Sequence, residues 1–344
     1  MISVIIDSAI PFTEGVLDDF AIVKRLKGKD ICPKDIAQAD ALIIRTRTKC
    51  NEALLKNSKV KFIGSATIGF DHIDLDYCRQ NGIIVQTAAG CNAMAVAHYM
   101  ASVFKKIEQH TKRSIKDMTI GIIGVGNVGG KIATLAEKTG MKVLTNDPPV
   151  ALKDKSFKNT DIKTLLKESD IVTLHVPHTK EGKFATTSMV NKDFVKSLKK
   201  GAIFINASRG EIVVDEDLIE GINNKTISYA VIDVWNKEPN INKTLLNLAT
   251  IVTPHIAGYS IQGKANGTSA VINSLAEYFN IDSLKKWYPE IKHKKSDILS
   301  GKEILEQIDQ NYDVSTDDKK LRENPELFEE LRNKYDYRDE YFSM

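Results

Sequence analysis

The chain has 344 residues, of which 42% are hydrophobic, 27% charged and 7% aromatic. This composition is typical of a folded protein of two or three domains, and it excludes a disordered or collagen-like chain. The formal net charge is only +3. We therefore expect no nucleic-acid partner, because proteins that bind nucleic acids usually carry a larger basic surplus.

The cysteines and the N-terminal segment favour a cytoplasmic protein. Cys32, Cys50, Cys78 and Cys91 form no CxxC pair, so we expect reduced thiols and neither a disulfide framework nor a metal site. The opening MISVIIDSAIP has no basic region and includes Asp7, which is unlike a signal peptide. No apolar run approaches the roughly 20 residues of a membrane helix, so we expect no membrane partner.

Short apolar runs alternate with helical segments in the first part of the chain. The predicted strands lie near residues 3–6, 41–44, 60–63 and 83–85. The predicted helices lie near residues 13–26, 51–56 and 73–80. This alternation is typical of parallel βαβ units with helices on both faces of the sheet.

A second series of the same kind follows a long buried helix predicted over residues 91–110. Its predicted strands lie near residues 119–123, 142–145, 171–174, 202–205, 229–234 and 250–252, and a helix near 267–279 follows them. The two series predict an α/β protein with two similarly built domains.

The chain past about residue 285 has a different character. Residues 291–344 contain ten Lys or Arg and fourteen Asp or Glu. They also contain a set of aromatic residues, namely Tyr312, Phe328, Tyr335, Tyr337, Tyr341 and Phe342. A solvated tail rarely carries so many aromatics, so this segment is expected to be a small accessory or interface element.

The most informative stretch is GIIGVGNVGG, residues 121–130, in which Gly124, Gly126 and Gly129 follow an apolar strand and open a helix. In such a setting the first glycine permits a tight turn, and the second lets a pyrophosphate approach the backbone. The third lets the helix pack on the strand. The helix N-terminus also offers N–H groups to phosphates. These features together predict a dinucleotide site.

Asp147 follows the next predicted strand, within the sequence NDPP. Its spacing from the glycines is that of the acidic residue which binds the ribose in such sites. A carboxylate there accepts hydrogen bonds from both ribose hydroxyls and repels a 2′-phosphate. We therefore predict NAD rather than NADP as the cofactor.

Three segments at predicted strand ends carry further candidate chemistry: residues 205–210, 233–239 and 253–258. Ligands of open α/β sheets bind beyond the carboxyl ends of the strands. Arg209 can hold a carboxylate through two parallel N–H bonds. His255 can take a proton, since histidines titrate near neutral pH, and Glu238 can fix its tautomer. A cation, a base and a nicotinamide are what the oxidation of a 2-hydroxy acid needs.

The segments GIIGVGNVGGKIA, LHVPHT, INASRGEIVVDEDL, DVWNKEP and TPHIAGYS, in this order, resemble the blocks of the D-isomer-specific 2-hydroxyacid dehydrogenases. The resemblance implies catalytic roles for Arg209, Glu238 and His255. It also implies an NAD site formed by Gly124, Gly126, Asn127, Val128, Gly129, Asp147, Ala207, Ser208, Arg209, Asp233 and Gly258.

The same resemblance implies a domain organisation. A Rossmann-type NAD-binding domain is expected over residues 92–258, and a flavodoxin-like substrate-binding domain over residues 1–91 and 259–284. RTRTKCNEALL, FIGSATIGFDHID and the tail are similar to one branch of the family, which has a C-terminal dimerisation domain. Residues 285–344 are thus expected to form a small α+β dimerisation segment of a homodimer.

The implied substrate is a small, anionic, phosphorylated 2-hydroxy acid, and the resemblance points to Thr46, Thr67 and Tyr259 as substrate contacts. The basic candidates for its phosphate are Arg45, Arg47 and Lys49. The remaining histidines that could suggest chemistry are interpreted as structural or loop residues, or are given no role: His72, His98, His175 and His178.

Two alternatives remain open from the sequence. The first is another enzyme of the family, acting on phosphoglycerate, glycerate or lactate. The second is a corepressor or scaffold that keeps the fold and uses NAD as a signal.

Overall fold

The computed structural model describes residues 1–292 and 296–344. The strands are β1 (Ile2–Asp7), β2 (Ala21–Leu26), β3 (Ala41–Ile44), β4 (Phe62–Ser65), β5 (Ile84–Thr87), β6 (Thr119–Ile123), β7 (Lys142–Asn146), β8 (Ile171–Leu174), β9 (Ala202–Asn206), β10 (Ile227–Ile232), β11 (Ile251–Val252), β12 (Asp297–Ile298) and β13 (Phe342–Ser343).

The helices are α1 (Pro33–Ile36), α2 (Glu52–Leu55), α3 (Leu75–Gln80), α4 (Ala93–Thr111), α5 (Asn127–Lys138), α6 (Pro148–Lys153), α7 (Ile162–Glu168), α8 (Lys192–Ser197), α9 (Asp215–Asn223), α10 (Lys243–Leu248), α11 (Ile261–Tyr278), α12 (Gly301–Asn311), α13 (Val314–Glu323) and α14 (Phe328–Asn333). Single turns of 3₁₀ helix lie at Gly28–Asp30, Ile115–Asp117, Gly210–Ile212, Asp282–Leu284 and Pro325–Leu327.

The described residues form two compact units. The first contains residues 1–92 and 260–292, and the second contains residues 93–259 and 296–344. The sequence predicts a separate segment from residue 285, whereas in the structure residues 296–344 belong to the second unit.

The first unit is built on a parallel five-stranded sheet in the order β2–β1–β3–β4–β5. Side chains alternate along the strands, so Val4 and Ile6 pack with α11 on one face, whereas Ile5 packs with α1 and α2 on the other. Both faces are therefore covered, as a parallel sheet requires.

The helix predicted near residues 13–26 is wrong. Residues 21–26 form the edge strand β2, and the residues before it form turns. Lys24 and Arg25 lie on this edge strand, and its Ile22 is 65% exposed. Charged residues are common on edge strands because they discourage pairing with other chains.

The second unit is built on a parallel six-stranded sheet in the order β11–β10–β9–β8–β6–β7. The chain runs outward from β6 to β7 and then returns to β8 on the other side of β6. The order of the strands therefore reverses at β6. In open α/β sheets the ligand crevice lies beyond the carboxyl ends of the strands at such a reversal. The glycine turn after β6 lies at this point.

The C-terminal residues pack on the second unit. The α12 helix lies against α4, and α13 lies against β11. Ile304, Ile308 and Tyr312 join the same buried cluster as the apolar side of α4. The aromatic residues of the tail are thus used to pack the segment on its own chain, and the homodimer expected through this segment stays a prediction.

His98 anchors the end of the chain. Its ring stacks on Phe342 with ring centroids 3.9 Å apart, and its Nε2 lies 3.1 Å from the Phe342 carbonyl oxygen. Burial lowers the pKa of His98 to about 3, so the ring is neutral at physiological pH. This position thus has a packing role, in keeping with the absence of any predicted chemistry for His98.

No helix within the described ranges combines the length and the apolar character needed to cross a bilayer. Among the same residues no cluster of three or more His, Cys, Asp or Glu side chains could hold a metal ion.

We expect Phe342→Ala to lower the free energy of unfolding by about 3 kcal/mol, because a buried phenyl ring is replaced by a cavity. Phe342 is 1% exposed. The matched control is Ile298→Ala in the paired strand β12, since Ile298 is 85% exposed. Urea unfolding should separate the two variants, and equal midpoints would contradict the anchoring role of Phe342.

Candidate active site

The glycine turn after β6 has the shape that a dinucleotide site needs. Gly124 has a φ of +88°, and a Cβ at this position would lie 2.6 Å from the His175 carbonyl oxygen. A Cβ on Gly129 would lie 1.9 Å from the Gly124 carbonyl oxygen. Only glycine fits at either position, so the first and third glycines pack the start of α5 against the strand ends.

Gly126 differs from these two glycines, because a Cβ there would meet nothing within 4 Å. It is the N-cap of α5 and provides no side-chain cap, and the first turn of α5 contains no acidic residue. Open space thus lies next to Asn127 and Val128 at the N-terminus of this helix. Such a cradle fits a pyrophosphate bound by backbone N–H groups.

Asp147 lies at the end of β7 and connects this strand to the glycine turn. Its Oδ2 accepts a hydrogen bond from the Val125 N–H at 2.7 Å, and its Oδ1 caps α6 by accepting from the Val150 N–H at 3.0 Å. The carboxylate is therefore held beside the turn that would receive the pyrophosphate. This position suits the predicted ribose contact.

The loop that carries Arg209 is closed by Asn206. The Asn206 Oδ1 accepts hydrogen bonds from the Ser208 N–H and hydroxyl, and its Nδ2 donates to the Arg209 carbonyl oxygen. A Cβ on Gly210 would lie 2.0 Å from the Trp235 carbonyl oxygen. Glycine is thus required for the Arg209 loop to lie against the loop that carries Glu238.

His255 and Glu238 form the pair that the sequence predicts. The His255 Nδ1 lies 3.0 Å from the Glu238 Oε1 and 2.9 Å from the Oε2. The side chains are 26% and 16% exposed, respectively. A carboxylate can only accept hydrogen bonds, so Nδ1 carries the hydrogen and Nε2 is the atom available to take a proton.

Glu238 is held in its ionised form. Burial alone would raise the pKa of its carboxyl group, but the charge and hydrogen bond of His255, the charge of Arg332 and the Trp235 N–H lower that pKa to about 2. The Trp235 N–H donates to the Glu238 Oε1 at 3.0 Å. A carboxylate in this state can orient His255 throughout the physiological pH range.

Asp233, predicted as a cofactor contact, has a clear role in shaping the turn that follows β11. Its carboxylate accepts hydrogen bonds from the Thr253 hydroxyl at 2.6 Å, from the Ile256 N–H at 2.8 Å and from the Ala257 N–H at 3.0 Å. Burial raises the pKa of Asp233. The turn that these bonds hold includes His255, whose φ is +58°. Sequence reasoning did not find this role.

A second residue that the sequence did not suggest is Arg332, on α14. Its Nη1 lies 3.6 Å from the Glu238 Oε2, and its Nε donates to the Tyr259 hydroxyl at 3.2 Å. Its side chain is 12% exposed. Tyr259, a predicted substrate contact, therefore lies in the second unit together with Arg209, Glu238 and His255.

The other predicted substrate residues lie in the first unit. Arg45, Thr46 and Arg47 follow β3, and the Arg45 Nη1 donates to the Ala9 carbonyl oxygen at 3.1 Å. Thr67 follows β4, and its hydroxyl is 2.9 Å from that of Ser65. These residues lie beyond the carboxyl ends of two adjacent parallel strands.

Three histidines that received structural or loop interpretations have local partners. His72 Nε2 lies 3.5 Å from the Ser65 hydroxyl, His175 Nε2 lies 3.0 Å from the Thr173 hydroxyl, and His178 Nε2 lies 2.8 Å from the Thr187 hydroxyl. Burial lowers the pKa of His175 to about 3.

Comparison with known proteins agrees with this geometry. A family model described as "D-isomer specific 2-hydroxyacid dehydrogenase, NAD binding domain" matches residues 84–257. The erythronate-4-phosphate dehydrogenase of Bacteroides fragilis is 44% identical over 339 residues, which cover 98% of this chain and 97% of that protein. The erythronate-4-phosphate dehydrogenase of Acinetobacter baumannii is 35% identical over 349 residues, with the same two coverages.

Solved structures show the same fold. The D-lactate dehydrogenase of Aquifex aeolicus, complexed with NAD and lactic acid, gives a TM-score of 0.66 at 27% identity and covers 83% of this chain and 98% of its own. The NAD-bound 3-phosphoglycerate dehydrogenase of Entamoeba histolytica gives a TM-score of 0.69 at 25% identity and covers 85% and 99%. The predicted α/β fold and the predicted cofactor, NAD, are confirmed.

We expect Gly126→Ala to weaken NAD binding by about tenfold or more, because the added methyl group enters the space that a pyrophosphate needs. The matched control is Gly130→Ala in the same helix, where a Cβ also meets nothing within 4 Å. That change should leave NAD affinity intact and stabilise α5 by up to about 1 kcal/mol. Titration calorimetry with NAD checks both, and equal affinities would contradict the assignment of the cradle.

Proposed function

The chain belongs to the D-isomer specific 2-hydroxyacid dehydrogenase family, and we propose that this NAD-dependent oxidoreductase oxidises 4-phospho-D-erythronate to (R)-3-hydroxy-2-oxo-4-phosphobutanoate. This reaction belongs to pyridoxal 5′-phosphate (vitamin B6) biosynthesis. The observation that carries the proposal is the match over 98% of the chain to relatives named erythronate-4-phosphate dehydrogenase. The lactate and phosphoglycerate enzymes cover only 83% and 85% of the chain.

The reaction removes a hydride from C2 of the substrate and a proton from the hydroxyl group on C2. NAD, when bound, accepts the hydride from the C2–H bond. The hydroxyl proton passes to the Nε2 of His255, because its Nδ1 is hydrogen-bonded to Glu238. The electron pair of the O–H bond then forms the new carbonyl bond. Glu238, as a carboxylate, orients the imidazole and stabilises the imidazolium that results.

Arg209 is proposed to hold the substrate carboxylate. The backbone of its loop is held by Asn206, and its Nη1 donates to the Ser208 carbonyl oxygen at 2.7 Å. The planar fork of guanidinium donors matches a carboxylate. Such a clamp fixes C2 relative to the base and the nicotinamide, which reduces the entropy lost on reaching the transition state.

Further substrate and cofactor contacts are proposed from the family resemblance. Tyr259, Thr46 and Thr67 are proposed to contact the hydroxy acid, and Arg45, Arg47 and Lys49 are the proposed cations for its phosphate. The NAD contacts are proposed to come from Gly124, Gly126, Asn127, Val128, Gly129, Asp147, Ala207, Ser208, Arg209, Asp233 and Gly258.

The assembly and location of the protein are proposals of the same kind. We propose a homodimer through the C-terminal residues, by resemblance to the branch of the family that carries this tail. A reducing, cytoplasmic location is supported by the four cysteines, all of which lie in the described ranges and are thiols outside any disulfide.

The substrate assignment is tested by supplying NAD with a panel of 2-hydroxy acids and measuring NADH formation. The panel contains 4-phosphoerythronate, unphosphorylated erythronate, 3-phosphoglycerate, glycerate and lactate. We expect kcat/KM to be highest for 4-phosphoerythronate by a factor of about 100 or more, since a phosphate adds charge-assisted hydrogen bonds. A preference for lactate or phosphoglycerate would overturn the substrate, and no turnover with any acid would favour a sensor that only binds NAD.

We expect His255→Ala to reduce kcat by about 100-fold or more, because general-base catalysis is lost. Arg209→Lys should instead act mainly through KM, because the bidentate clamp is lost while the charge remains. Steady-state kinetics with the preferred acid checks both variants. Near-normal turnover by His255→Ala, or an unchanged kcat/KM in Arg209→Lys, would contradict the role of that residue.

A further inference from the structure

Arg332 lies in the C-terminal part of the chain, yet it contacts the predicted catalytic pair. Its Nη1 is 3.6 Å from the Glu238 Oε2, on a carboxylate that also accepts from the His255 Nδ1. Its Nε donates to the Tyr259 hydroxyl. One guanidinium therefore bridges the carboxylate of the pair and the side chain proposed to contact the substrate.

We propose that Arg332 is a positioning residue of the active site. Its positive charge offsets part of the negative charge of Glu238 in the His255–Glu238 pair, and its Nε orients the Tyr259 hydroxyl. This inference rests on the proposed function, because it assigns His255 the role of base. Arg332 acts through Glu238 and Tyr259, and it needs no contact with substrate or cofactor to do so.

The tail holds Arg332 in place by several independent contacts. Phe328, at the start of α14, is fully buried in the core of the second unit. After α14, Tyr335 and Tyr337 pack edge-on against the Tyr259 ring, with ring centroids 5.9 Å and 6.0 Å away. The contact between Arg332 and the pair is thus part of a packed interface within the unit and not a mobile surface ion pair.

Arg338, which also follows α14, holds the backbone segment that carries Tyr259. Its guanidinium is buried against the rings of Tyr312 and Tyr335. It donates to the carbonyl oxygens of Ile256 and Ala257, directly after His255. The residues after α14 therefore fix the backbone on which the base and the substrate contact are placed.

The electrostatic consequence follows from the charges around the pair. The charged and titratable groups that face it are Asp233 beside His255, Arg332 beside Glu238, and Tyr259 and Glu329 beside Arg332. The positive charge of Arg332 offsets part of the negative charge that Glu238 presents to His255. Because the oxidation starts from the unprotonated imidazole, the loss of the Arg332 charge is expected to change the pH dependence of the oxidation.

The first test is the pH profile of kcat/KM for the acid that the wild-type enzyme oxidises. Arg332→Met removes the charge and the hydrogen bond to Tyr259, and we expect the acid limb to move upward by about one pH unit. Arg332→Lys keeps the charge but lacks the planar fork, so its acid limb should stay near that of the wild type while KM rises. Tyr259→Phe should raise KM and leave the acid limb in place.

The matched control is Arg322→Met, which removes another arginine of the tail. Arg322 lies on α13, pairs with Asp318 and donates to the carbonyl oxygens of Leu246 and Ala249. Arg332, in contrast, contacts Glu238 and Tyr259. We expect this variant to lose stability but to keep the wild-type acid limb, which separates a local effect from a general loosening of the tail.

The second test does not depend on turnover. In the full-length protein, NMR titration of the His255 ring proton, assigned by its absence in His255→Gln, should show a higher midpoint pH in Arg332→Met than in the wild type. An unchanged midpoint and an unchanged acid limb would overturn the inference, and Arg332→Gln, which also removes the charge, provides the same comparison if Arg332→Met does not fold. If no acid of the panel is oxidised, the proposed function fails, and the NMR midpoint still decides the role of Arg332.

Discussion

The active-site geometry depends on one buried carboxylate, that of Asp233. His255 has a φ of +58°, and a residue with a Cβ adopts this conformation at a cost of roughly 1 kcal/mol or more. Asp233 offsets this cost by accepting hydrogen bonds from the N–H groups of the next two residues, Ile256 and Ala257. Because the bonds fix the backbone on the C-terminal side of His255, they aim its Nδ1 at Glu238. Lys237, directly before Glu238, also has a positive φ, of +61°.

Short polar side chains also accept hydrogen bonds from loop N–H groups at the ends of other strands in this sheet. Asp147 at the end of β7 accepts the Val125 N–H of the glycine turn, and Asn206 at the end of β9 closes the loop that carries Arg209. In parallel sheets the strand ends meet at one edge, and each loop that leaves this edge exposes N–H groups that need acceptors. Short polar side chains at the ends of strands meet this need, so the loops are rigid before any ligand arrives. The residues proposed to bind and react are therefore placed on loops with fixed conformations.

Much of the fold could be predicted from the sequence because the central strands are continuous apolar runs. Segments such as 119–123 and 171–174 are buried on both faces and match β6 and β8 in the structure. The prediction failed at the edge strand β2, which is less buried than the central strands. It also placed the start of α11 six residues too late, at Gly267 instead of Ile261. In the structure a Cβ on Gly267 would lie 2.9 Å from the Ala66 carbonyl oxygen, so glycine there serves close packing and not flexibility.

The residues of the site also differ in whether they could be predicted from the sequence. Gly124, Gly129 and the pair of Glu238 and His255 could be predicted because each lies in a motif whose chemistry is local to a strand end. The role of Arg332 could not, because its contact with Glu238 joins a charged tail helix to a loop 94 residues earlier. The surrounding LFEELRNKY contributes to the family resemblance of the tail but contains no motif that assigns Arg332 a role. Its burial depends on Phe328 and on the tyrosines that pack on Tyr259, and these act only once the tail is folded on the second unit. A tail that the sequence predicts to be an accessory segment thus places a charge beside the proposed catalytic pair. A change that loosens the packing of the tail is therefore expected to alter this pair as well.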